Sequence, residues 1–85
     1  MAILVSYDVS DNKQAEFKAE MVVRGYADAF PIGGAGKPLP ESTLIKANGT
    51  ERAATVDMAQ VAQKLGIKLE KAVAVNVSGI EVYPP

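Results

Sequence analysis

The chain has 85 residues, 48% apolar and 22% charged, which suits one folded domain with a single core and argues against wholesale disorder. Nine basic and ten acidic side chains leave a formal charge of -1, with lysines scattered along the chain beside Arg24 and Arg52, so no strong sequence-independent grip on phosphate is expected. Without Cys or His, thiolate nucleophiles, disulfides, Cys/His zinc sites and Ser–His pairs are excluded, leaving carboxylate, metal-assisted and Lys/Tyr chemistry.

The first element is an apolar strand from Ala2 to Ser10. Ile3, Val5, Tyr7 and Val9 fall on one face, and Ala2, Leu4, Ser6 and Asp8 on the other, because strand side chains alternate. The face with the larger apolar groups is expected to meet helices. The amino terminus lacks a basic n-region and meets Asp8 early, and no run approaches the roughly 20 apolar residues of a membrane span. A soluble cytoplasmic protein without a membrane partner is therefore expected.

Asp11 followed by Gln14 has the form of a capping box and predicts a helix start. Ala15, Ala19, Val22, Val23 and Tyr26 recur at helical spacing as the expected buried stripe, widened by Phe17 and Met21, and Gly25 supplies the stop. Tyr26 to Ile32 predicts at most a short edge strand ending near Pro31. Residues Gly33 to Pro40 are rich in Gly and Pro; a flexible connection with no regular element is expected there.

Ser42 to Ala47 predicts a second strand, with Thr43, Ile45 and Ala47 on one face and Ser42, Leu44 and Lys46 on the other. Thr50 is placed to cap a second helix whose apolar positions are Ala54, Met58, Val61 and Leu65, stopped by Gly66 with Ile67 making the accompanying apolar contact. Ala72 to Val77 predicts a strand with Val73, Val75 and Val77 opposed to Ala72, Ala74 and Asn76. Ile80 to Tyr83 predicts a short extra carboxyl-terminal strand, able to return to its own sheet or reach a neighbour's.

The order strand, helix, weak strand, strand, helix, strand is that of a ferredoxin-like α+β two-layer sandwich spanning residues 1–85. Two helices cover one sheet face. The other is expected to show Leu4, Ser6, Asp8, Ser42, Leu44, Lys46, Ala72, Ala74 and Asn76. A chain of this size buries only roughly 60% of its unfolded surface, and a homodimer through the sheet face or the last strand would bury more.

Among motifs that carry chemistry, Gly36-Lys37 fails as a phosphate-binding loop, because Pro31 stands upstream where a Gly is needed and Pro38 follows in place of Ser or Thr. A carboxylate at the carboxyl end of a central strand, as Asp8 is, can hold Mg2+ or Mn2+ with waters and substrate phosphates; it can equally accept backbone bonds in the turn or pair with a Lys. Arg24, Lys37 and Lys46 are the candidate phosphate contacts or ordinary solvated charges. The five aromatic residues are too dispersed for a base-stacking platform.

The strand Ile3–Ser10 with its Tyr7-Asp8 end, a helix closing at Gly25-Tyr26, Ser42–Ile45, and a capped second helix before a Val-rich strand together resemble the small CRISPR-associated adaptation proteins and their stand-alone relatives. That resemblance implies a ferredoxin-like homodimer associated with DNA or RNA, either a metal-dependent nuclease or a non-catalytic subunit. Asp8 would match the family's catalytic, metal-binding acid, and Ser42 its small polar residue on the later strand. The long Gly/Pro insertion, the lack of arginines after Tyr26 and the non-basic charge depart from that family. The competing expectation is a non-enzymatic protein-interaction module, of the kind a mobile element carries, on the same dimeric fold.

Overall fold

A computed structural model of the chain describes residues 1–33 and 36–83. The elements are β1 (Ala2–Val9), α1 (Gln14–Val23), β2 (Ala29–Phe30), β3 (Lys37–Pro38), β4 (Thr43–Lys46), α2 (Glu51–Leu65) and β5 (Leu69–Val77). β1 is central, antiparallel to β4 on one side and to β5 on the other. Ala27 adds a single bridge to the outer edge of β4, exchanging backbone bonds of 2.7 and 2.9 Å with Ile45. This places a vestigial fourth strand where a ferredoxin-like sandwich needs its second one, and the fold is an α+β two-layer sandwich of that type. No helix among the described residues is long and apolar enough to cross a membrane.

The core lies between the sheet and the helices. Ile3, Val5, Tyr7 and Val9 of β1 meet Phe17 and Met21 of α1 and Ala54, Met58, Val61 and Ala62 of α2, all buried. Tyr7 and Phe17 stack with ring centroids 4.5 Å apart. The second helix follows its sequence signals closely. Thr50 accepts the Ala53 N–H at 3.1 Å, Gly66 adopts φ 68°, and the Ile67 N–H returns to the Ala62 carbonyl at 3.0 Å while its side chain packs on the core.

The first helix departs from expectation. Asp11 and Asn12 take left-handed conformations at φ 64° and 52°, so the helix begins later, at Gln14, after Lys13, and no side chain caps it. The Asp11 carboxylate accepts the Ser10 hydroxyl at 3.1 Å instead. The stripe of Ala15, Ala19, Val22 and Val23 faces outward, with Val23 81% exposed, and the burial falls to Phe17 and Met21. Two large side chains four apart reach the sheet better than four small ones, and they set the helix rotation.

Register corrects the two sheet faces. Leu44 lies opposite Val5 and Lys46 opposite Ile3, so both belong to the helix-covered face. Ala72, Ala74 and Asn76 lie opposite Tyr7, Val5 and Ile3 and share that face, where their small size admits α2. The open face therefore carries Leu4, Ser6 and Asp8 with Thr43, Ile45, Val73 and Val75. A one-residue difference in which neighbour is matched sends every side chain of a strand to the other face.

Two further expectations change. Lys37–Pro38 pairs with Ala29–Phe30 as a small separate hairpin, so the Gly/Pro segment does contain a regular element; the expected flexibility, where it falls on residues 34 and 35, lies outside the described residues. Gly36 is required at this hairpin because a Cβ there would run into the Pro31 carbonyl oxygen and the Phe30 backbone. Ile80 to Tyr83 forms no strand. Together with Leu4, Leu39, Pro40 and Thr43 it lines a depression of about 400 Å3 beside the open face, and Tyr83 is exposed.

Candidate functional site

Asp8 projects from the exposed face of β1, directly across from Lys71 of β5. It lines a shallow depression of about 270 Å3 with Ser6, Lys71 and Val73. Among the described residues its carboxylate forms no hydrogen bond or ion pair, so the turn after β1 has not consumed it. No group of three or more metal-ligating side chains is found among the described residues. Within one chain Asp8 is the carboxylate lining this depression, with Lys71 beside it.

The candidate phosphate contacts Arg24, Lys37 and Lys46, and Ser42, which the resemblance adds as a nucleic-acid-binding residue, divide among three places. Arg24 and Lys46 converge near Tyr26, but each is already engaged. The Arg24 guanidinium donates to Asp57 at 3.2 Å and to Gln60 at 2.8 Å, while the Lys46 ammonium sits 5.2 Å from the centre of the Tyr26 ring. Tyr26 donates its hydroxyl to Asp57 at 2.9 Å; burial first, and then this bond to an anion, push its phenol upward. The cluster fastens α1 to α2. Lys37 is exposed on the small hairpin, away from this cluster.

Ser42 belongs to a different cleft, of about 410 Å3, on the helix side of β1. Its walls are Asn12, Gln14, Ala15 and Lys18 from the start of α1, Glu41 and Ser42 from the approach to β4, and Tyr7 from the sheet. Ser42 sits at φ 61°, an uncommon conformation for a residue other than Gly, Asn or Asp, and donates its hydroxyl to the Gln14 side chain at 2.8 Å. Tyr7 is only 5% exposed, and burial, reinforced by the Glu41 and Asp28 carboxylates, pushes its phenol up to about 12.

In the sequence Ser42 stands out, whereas Tyr7 belongs to the apolar face of the first strand, Gln14 to a capping box, and Glu41 to no motif. The available signal was the run of polar residues on both sides of the first turn. Nothing in their spacing says that residues 12–18 and 41–42 meet.

Compared with protein-family models, curated proteins and solved structures, the chain matches none.

Proposed function

We propose that the protein is a non-enzymatic interaction module acting as a homodimer, joined where the outer edge of β5 meets its own two-fold copy. The observation that carries this is the edge itself. Among the described residues β5 pairs with β1 alone, and on its open face Val73 and Val75 are 53% and 41% exposed. A long unprotected edge bearing apolar side chains is a template for another strand. Overlap of Lys71–Val77 with a two-fold copy centres on Ala74 and sets Val73 opposite Val75 and Ala72 opposite Asn76. No like charges face each other, and the two three-stranded sheets become one.

This assembly also bears on the competing chemistry. With about 3.4 Å per residue and about 4.8 Å between strands, edge pairing about Ala74 leaves the two Asp8 positions roughly 25 Å apart, too far to share an ion. A second reading, a Mg2+- or Mn2+-dependent nuclease bound to DNA or RNA, therefore requires the sheets to meet face to face. Its support is the free Asp8 carboxylate on that face.

Two measurements separate the readings. Sedimentation equilibrium is expected to give twice the 9.0 kDa chain mass for the wild type and the single mass for Val73→Lys/Val75→Lys, with the fold retained because both side chains are exposed. A monomeric wild type at high micromolar concentration, or a variant that still dimerises, rejects the edge dimer. Metal-dependent cleavage of nucleic acid that is lost in Asp8→Ala would establish the second reading instead.

A further inference from the structure

The cleft between the first turn of α1 and the approach to β4 has the features of a built ligand site. Its volume, about 410 Å3, lies within the range of small-molecule pockets. The first turn of α1 lines it with no side-chain cap, so the backbone N–H groups there are available to a negative group. An open helix start is common, and here a second, independent feature accompanies it. The Tyr7 side chain is 5% exposed, and its hydroxyl makes no hydrogen bond among the described residues. No fully buried side-chain oxygen or nitrogen lacks a partner among those residues, so the Tyr7 oxygen keeps access to the cleft it lines. A buried tyrosine that lines a polar cleft and whose hydroxyl no protein group bonds is arranged to bond something that enters there.

The charges on the walls define what that is. Lys18 contributes a cation; its contact with Asp28, 3.5 Å long with side chains 36% and 60% exposed, is a solvent-accessible pair that an entering anion can exchange for. Glu41 contributes an anion that makes no ion pair among the described residues. Asn12, Gln14, Ser42 and Tyr7 add neutral hydrogen-bonding groups to the lining. A simple anion would be opposed by Glu41 and a simple cation by Lys18 and the helix start.

We propose that this cleft binds a small zwitterion of the amino-acid class, its carboxylate held by Lys18 and the first turn of α1 and its ammonium by Glu41, with the Tyr7 hydroxyl bonded to the carboxylate. The site lies under the sheet, on the face opposite the exposed Val73 and Val75, and does not depend on the edge dimer.

The test is a titration followed by amide chemical shifts, using alanine, β-alanine and γ-aminobutyrate as probes of increasing charge separation, with propionate and propylamine as single-charge controls. At least one amino acid is expected to shift the Gln14, Lys18 and Ser42 amides saturably and to bind about tenfold more tightly than either control, as one charge-assisted bond warrants. Glu41→Gln is expected to reduce the best amino acid to the affinity of propionate, and Lys18→Gln to that of propylamine. Tyr7→Phe, which keeps the stacking on Phe17, is expected to weaken binding several-fold without altering the fold. Absence of shifts at tens of millimolar, equal binding of propionate and the amino acids, or indifference to Glu41→Gln would each overturn the proposal.

Discussion

Tyr7 joins the core to the surface within one side chain. Its ring packs on Phe17 at 4.5 Å, and its phenol is pushed up to about 12, chiefly by burial. The stability that follows from holding this group neutral is complete below its ordinary value near 10, and it is lost as the pH rises through about 12. In a Tyr26→Phe/Tyr83→Phe variant, which leaves one tyrosine, phenolate absorbance should therefore rise with a midpoint near 12. A midpoint at the free-tyrosine value of about 10 would show that the ring is not desolvated as described. Its burial was legible in the sequence, since Ile3, Val5, Tyr7 and Val9 alternate on one face. That it shares a cleft with Glu41 and Lys18 was not, because Glu41 is brought there by the β1–β4 pairing and Lys18 by the packing of α1 against the sheet.

The two helices show how far local signals carry. In α2, the Thr50 oxygen on the Ala53 N–H and the left-handed Gly66 are both written in the local sequence. In α1 the expected Asp11 cap fails, because Asp11 and Asn12 turn left-handed before the helix begins. Thr50→Ala is expected to cost about 1 kcal/mol in urea unfolding, as loss of a working cap does, whereas Asp11→Ala should cost no more than loss of its weak exposed bond to Ser10 and the left-handed backbone together impose. The diagnostic is the helix itself. Fraying of the first turn of α2, read from amide exchange at residues 51–54, should follow the first substitution, and no change in α1 should follow the second. Enhanced exchange through the first turn of α1 in Asp11→Ala would restore the capping box.

For the molecule as a whole, the position of β1 between β4 and β5 sets the distribution of stability. Its backbone is paired on both sides and its inward face is buried at Ile3, Val5, Tyr7 and Val9, whereas among the described residues β2 and β3 pair only with each other, over two residues each. Amide exchange should therefore be slowest at Ile3–Tyr7 and approach the global unfolding limit there, with Phe30 and Lys37 exchanging orders of magnitude faster. Equal protection in the hairpin and in β1 would contradict this division. In a dimer joined through β5, the outward-facing amides of that strand should gain protection with rising protein concentration, and β4 should not.

The alternation of Ala2–Val9, the cap and stop of α2, and the order of elements by themselves determined a ferredoxin-like sandwich, because these depend on contacts within a few residues or on simple periodicity. Tertiary structure alone decided which way β4 and β5 face, that α1 buries Phe17 and Met21 instead of its alanine and valine stripe, and that Ser42 meets Gln14. Those outcomes depend on strand register and helix rotation, which are settled by the fit of large and small side chains across the two layers, and single-chain periodicity is symmetric with respect to both.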